Sequence, residues 1–151
     1  MVWSNDVNLK CPLCKQCHDS HSHLFFQCNY SKTVWASMRK KLKESTEPNE
    51  WSDVVSSYAT KWTNNSIDSV VGRLVLGVSV YFIWQERNKR LSNNEMRSEQ
   101  VLIECIMETI KLRIMSLRAL KTNKVLKVAR EWGVDPIYVN KDGTRTCAGK
   151  D

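Results

Sequence analysis

Cys11-Pro12-Leu13-Cys14-Lys15-Gln16-Cys17-His18-Asp19-Ser20-His21-Ser22-His23-Leu24-Phe25-Phe26-Gln27-Cys28 holds four of the chain's six cysteines and all three of its histidines. The stretch reads as C-x2-C-x8-H-x4-C. Zinc takes thiolate and imidazole ligands in a tetrahedron, and a structural site fills all four positions from the protein. A C-x2-C turn sets two thiolates on one side of such an ion. His23 and Cys28 can close the other side. Cys17, His18 and His21 lie in the same stretch and are rival ligands.

Three other readings fit part of the pattern: a disulfide, a redox dithiol and a His/Cys-rich surface tract. A redox dithiol is expected inside a βαβ pattern, and none surrounds these cysteines. A disulfide framework is expected in a secreted chain. Residues 1–20 contain Asp6, Lys10 and Lys15 and no apolar run of the signal-peptide kind. The metal reading is therefore the favoured one, with one structural Zn2+ as the expected cofactor.

Working outward, 151 residues suit one medium domain or two small modules. Hydrophobic residues make up 42% and charged residues 26%, enough apolar material for a core. The net charge of +7 favours acidic partners, nucleic acid among them. A basic solvated face explains the same number equally well. The most apolar run, residues 70–84, is interrupted by Gly72, Arg73 and Gly77. It is shorter than the ~20 apolar residues of a membrane span, so a buried helix is expected and no membrane partner. Cys17, Cys105 and Cys147, outside the proposed ligand set, fit a reducing, intracellular compartment.

Residues 1–10 are short of apolar bulk, with Trp3 as the largest apolar group, and start no fold, reading as the cut end of something longer. Leu24, Phe25 and Phe26 carry a faint strand signal and would cover the metal. A first helix is predicted over 31–43, with Ser31 as N-cap and Val34, Trp35, Met38 and Leu42 as its apolar stripe. Arg39, Lys40, Lys41 and Lys43 crowd its end. They compensate the helix dipole, or they form a phosphate-contacting patch beside the metal. Pro48 marks a turn, and Asn49 is the expected cap of a second helix over 50–62 bearing Trp51, Val54, Val55, Tyr58 and Trp62.

A third helix is expected from Ser66 to about residue 91. It is apolar on most faces and therefore central, with Gly72 and Gly77 permitting close approach by a neighbour. Its end turns charged, and the three cations there, Arg87, Lys89 and Arg90, have a dipole explanation. A fourth helix is predicted over about 95–120, with Val101, Leu102, Cys105, Ile106, Thr109, Leu112, Met115 and Leu117 facing the core. Thr122 or Asn123 can cap a short helix over 124–132, stopped by Gly133 and Pro136. Residues 137–139 are a weak strand candidate, and 140–151 read as a disordered tail.

No Gly-rich phosphate loop, G-x-S-x-G, H-E-x-x-H or paired-aspartate pattern is present. A nucleophile pair of Cys17 with His18, His21 or His23 is the one catalytic alternative, and a spare thiol beside metal ligands explains it more simply. The chain is read as a non-enzyme without a small-molecule substrate.

Two blocks carry a family resemblance. The first is Cys11-Pro12-Leu13-Cys14, Ser20-His21-Ser22-His23-Leu24-Phe25-Phe26-Gln27-Cys28 and Ser31-Lys32-Thr33-Val34-Trp35. The second is Tyr81-Phe82-Ile83-Trp84-Gln85-Glu86-Arg87-Asn88-Lys89-Arg90. Together they resemble the reverse-transcriptase zinc-binding domain at the C-terminal end of plant non-LTR (LINE-type) retrotransposon polyproteins. The resemblance spans about residues 3–132 and makes Cys11, Cys14, His23 and Cys28 the ligands. Cys17 and His18 depart from it, standing where the family more often has a polar or acidic spacer. The endonuclease and reverse-transcriptase regions of such polyproteins are missing from this sequence, so it resembles a detached C-terminal fragment or a relic gene product.

The expected fold is mainly α: a small CCHC zinc module packed on a helical bundle of about four further helices, with a flexible C-terminal tail. The expected parts are 1–47 (zinc module with first helix), 48–132 (bundle) and 133–151 (tail). The expected function is a zinc-stabilised accessory domain binding RNA or DNA through Arg39, Lys40, Lys41 and Lys43. The alternative is a structural or protein-interaction module, for instance on the reverse transcriptase body, or a non-functional relic. The nucleus is where a retroelement protein is expected to act.

Overall fold

A computed structural model describes residues 10–45 and 50–145. Trp3, Pro48, Asn49 and Cys147, read above, lie outside them, as does the end of the tail from residue 146. The described chain is mainly helical, as expected. Five α-helices form: α1 (Asn29–Leu42), α2 (Trp51–Lys61), α3 (Ile67–Ser92), α4 (Glu99–Ser116) and α5 (Asn123–Trp132). A π-helical turn, His23–Gln27, precedes α1. Two short strands, β1 (Arg118–Leu120) and β2 (Ile137–Val139), pair in parallel across α5.

The caps explain most boundaries. Ser66, Ser98 and Thr122 each accept a hydrogen bond from the backbone N–H three residues on, at Ser69, Val101 and Val125. Each satisfies an orphan donor of the helix it starts. Gly133 ends α5 at φ 64°, a left-handed backbone that glycine adopts without a Cβ clash. Beyond it the expected tail is partly built. β2 occupies 137–139, and Asn140 N–H donates to the Thr144 carbonyl at 2.8 Å.

α4 is shorter than expected, and its buried face keeps Leu102 and Ile106 of the expected stripe but continues through Ile110 and Ile114. Leu102, Ile106, Ile110 and Ile114 are its buried residues. Val101, Leu112 and Met115, assigned above to the core stripe, are exposed. The i, i+4 isoleucine ladder outweighs them because fully burying each such side chain yields about 1.5–3 kcal/mol. Residues 118–120 leave the helix to make β1.

α3 is the centre of the fold and packs against α1, α2, α4, α5 and the π-turn. Val71, Val75 and Ile83 supply its buried apolar face. By length and composition it is apolar enough to cross a membrane, and about a third of its most apolar stretch is buried inside the protein. Buried side chains from Cys11 to Trp132 form one continuous core.

The two α3 glycines differ in role. A Cβ on Gly72 would sit 2.7 Å from the Trp62 indole, whereas one on Gly77 meets nothing within 4 Å. Only Gly72 thus serves close approach, at the point where α2 ends against α3. Arg73 reinforces that junction by donating to the carbonyls of Trp62 and Asn64 at 2.5 and 3.0 Å. Gly77→Ala is expected to stabilise the protein by about 0.5–1 kcal/mol, through helix propensity. Gly72→Ala is expected to destabilise it by about 1 kcal/mol, because overpacking exceeds that gain. Urea denaturation of both variants checks the opposite signs.

Candidate metal centre

The site starts from the Cys11–Cys14 turn. Lys15 N–H donates to the Cys11 carbonyl at 2.7 Å, and Cys11 N–H donates to the Cys17 carbonyl at 2.8 Å. Lys15 takes a left-handed φ of 57° to complete the turn. Residues 10 and 18 pair across it as an antiparallel bridge. Cys17 therefore acts through its backbone, and its side chain is exposed.

The opposite wall is the π-turn. Its wide helical turn leaves the Leu24 and Phe25 carbonyls without regular α-helical partners. Ser31 Oγ donates to the first and Trp35 Nε1 to the second, both from α1. Two sequence expectations are corrected here. Residues 24–27 form a helical turn rather than a strand. Ser31 is not the N-cap of α1, which is Cys28; its buried hydroxyl holds the π-turn instead. The two carbonyls are satisfied inside the protein, as buried backbone groups must be.

These two walls bring Cys11, Cys14, His23 and Cys28 together. Their four donor atoms all lie within 4.8 Å of one another. The Cys11 and Cys28 sulfurs are 3.9 Å apart, and Cys14 Sγ is 3.2 Å from His23 Nε2. Cys11 and Cys28 are fully buried and His23 nearly so. The Cys28 thiol hydrogen bond pulls Cys11 down to about 5, while the same shared proton pushes Cys28 up. Such a cluster can hold a metal ion. Cys17, His18 and His21 are exposed and stand outside it. Among the described residues all cysteines are free thiols.

The far end of α3 grips this loop, which the dipole reading of its charges missed. Arg87 pairs with Asp19, Nε to Oδ2 at 2.9 Å. Arg90 Nη1 donates to the Leu13 carbonyl at 3.0 Å and the Pro12 carbonyl at 3.4 Å, inside the Cys-x2-Cys turn. Glu86, fully buried, accepts from Arg90 Nε at 2.9 Å and from Arg97 N and Nε at 2.8 Å each. Burial pushes the Glu86 carboxyl up, but the Arg97 and Arg90 donors outweigh it and hold it below the usual range. The signal was present in the i, i+4 spacing of Glu86 and Arg90 and in the resemblance of residues 81–90.

The expected basic patch is divided. Lys41 Nζ donates to the Glu131 carbonyl at 3.3 Å and lies 5.5 Å from the Trp132 ring centre. Lys43 pairs with the Glu131 carboxylate at 2.5 Å. Both tie α1 to α5 while remaining exposed. Lys40 is exposed, and Arg39 lines a cavity of 490 Å³ between α1 and α2 with Phe26, Trp35 and Tyr58.

Set against family models, curated proteins and solved structures, this chain matches none.

Proposed function

We propose that this chain is a zinc-stabilised accessory module that binds RNA or DNA, of the kind its sequence resembles in LINE-type reverse transcriptases. The observation that carries the zinc assignment is the donor geometry. Zn–S bonds of about 2.3 Å and Zn–N bonds of about 2.0–2.1 Å in a tetrahedron imply S···S near 3.8 Å and S···N near 3.5 Å. The Cys11–Cys28 sulfurs, 3.9 Å apart, lie near the first value, Cys14 Sγ and His23 Nε2, at 3.2 Å, lie inside the second, and all four donors fall within 4.8 Å of one another. Four protein ligands leave no open position for water or substrate, so the ion is structural rather than catalytic. Its free cysteines suit the cell interior, with the nucleus as the working compartment of a retroelement protein.

The net charge of +7 supports the nucleic-acid part. Lys41, Lys43 and Lys127 gather around Glu131, whose ionisation they favour, and Lys40 is exposed next to Lys41 in the chain. Fluorescence anisotropy with mixed-sequence single-stranded RNA and duplex DNA tests the reading. Affinity is expected to fall steeply between about 50 and 200 mM salt as counterions are released. Lys40→Glu is expected to weaken binding on every sequence and to lower the salt slope by about 1. Salt-independent binding, or none at low salt, refutes it.

A second reading rests on the apolar groove between α2 and α3, lined by Trp51, Val55, Ala59, Trp62, Leu76 and Val80. Trp51 and Val55 are 39% and 45% exposed there. Such a face suits docking onto a larger protein, the reverse transcriptase body in the resembled family. If this is the main role, Val55→Asp abolishes the association and leaves nucleic-acid affinity unchanged.

A further inference from the structure

Arg90 touches both halves of the metal site and one distant segment. Through Nη1 it holds the carbonyls of Pro12 and Leu13, between Cys11 and Cys14. Its guanidinium lies 4.7 Å from the ring centre of Tyr30, two residues after Cys28. Through Nη2 it donates to the Arg97 carbonyl at 2.9 Å, in the α3–α4 connection. Tyr30 Oη donates to that same carbonyl at 3.0 Å. Glu86 closes the ring by accepting from both arginines and from the Arg97 amide.

A metal ion would order the same backbone. It fixes the Cys11–Cys14 turn against Cys28, which are the two parts that Arg90 spans. Whichever forms first lowers the entropy cost of the other, and such coupling is reciprocal. Charge acts in the same direction. Three thiolates and an imidazole on a divalent ion leave a site charge of about −1. A guanidinium hydrogen-bonded to the turn beside it complements that charge in a partly buried setting.

We infer that Arg90 is a positioning residue of the metal centre, and that through Glu86 and Arg97 it links metal occupancy to the order of the α3–α4 connection. This rests on the zinc reading above, and the test separates the two. Zinc affinity is measured by competition with a chromophoric chelator, and amide exchange is followed with and without zinc. In the wild type, removing zinc is expected to speed exchange of the Arg97 amide at least about tenfold, 69 residues beyond Cys28. Arg90→Met is expected to lower zinc affinity about 10–100-fold, as loss of outer partners does. Lys89→Met, the same charge change one residue away on a side chain that is 39% exposed and pairs with Glu95 rather than with the turn, is expected to leave affinity unchanged. Arg90→Lys should recover part of the affinity, keeping the charge and losing the fork.

A merely structural staple gives a different result. Arg90→Met then destabilises the zinc-loaded and zinc-free forms equally, with zinc affinity unaltered. That outcome, or an Arg97 amide in the wild type indifferent to zinc, overturns the inference while the zinc reading stands. A wild-type chain that binds no zinc overturns both.

Discussion

Cys11→Ser is expected to reduce bound zinc from one ion per chain to almost none and to unfold the segment from Lys10 to Cys28. The side chain it replaces is fully buried and supplies one of four donors within 4.8 Å. Structural zinc contributes about 10–16 kcal/mol in finger peptides at neutral pH. Whole domains have net stabilities of about 5–15 kcal/mol. A loss even a fraction of the first figure removes the local fold. α3 and α4 have their own packing through Val75, Ile83, Ile106 and Ile110. The far-ultraviolet helix signal should therefore survive in large part while the ordering of α1 is lost. Metal analysis of single serine variants checks the ligand set: Cys14→Ser should behave as Cys11→Ser, and Cys17→Ser should retain one ion. Retention by Cys14→Ser with loss in Cys17→Ser would mean the wrong third thiolate has been identified. Acid acts in the same direction as the substitutions. Three thiolates and one imidazole must be free of protons to bind, so affinity falls as pH falls.

Glu86→Ala carries the second large effect, an expected loss of about 3–5 kcal/mol of folding stability. Glu86 is fully buried, and its two oxygens take three side-chain or backbone donors from Arg90 and Arg97. Removing the carboxylate leaves two guanidinium groups with 9% and 23% side-chain exposure and without the buried anion that they share. Breaking a buried pair from one side costs about that much, because the remaining charge stays desolvated. Glu86→Gln retains the shape and two of the acceptor positions at most, so a smaller loss is expected. Urea unfolding measures both. A Glu86→Ala loss below about 1 kcal/mol would show that water or a rearranged arginine replaces the carboxylate. The pH dependence has a definite sign. Glu86 is held below its usual range when folded. Its contribution is complete above the unfolded-chain value of about 4.3 and declines as pH drops below it through the folded value.

The two halves of the candidate site were unequally legible. Cys11, Cys14, His23 and Cys28 could be put forward because metal ligation needs particular atoms at compatible spacing, with the family resemblance favouring them over Cys17, His18 and His21. Asp19 and Arg97 could not, because nothing in a linear sequence pairs residue 19 with 87 or residue 97 with 86. The basic run Arg39–Lys43 shows the converse. It is conspicuous in the sequence, yet α5 returns to place Glu131 beside Lys41 and Lys43. The run is thus partly an internal tether.

By itself, the sequence determined what local chemistry dictates. The serine and threonine caps of α3 and α5, the left-handed stop at Gly133, the helical periodicities and the thiolate–imidazole set all follow from near neighbours along the chain. Only the tertiary structure decided which α4 face is buried, since two apolar stripes compete and the partner helix selects one. It likewise turned residues 23–27 into a π-turn, because α1 offers Ser31 and Trp35 as donors to the carbonyls that turn frees. It also made Arg90 a support of the Cys11–Cys14 turn. Residues 13 and 90 meet only when α3 lies across the loop, and burial then gives that contact its strength.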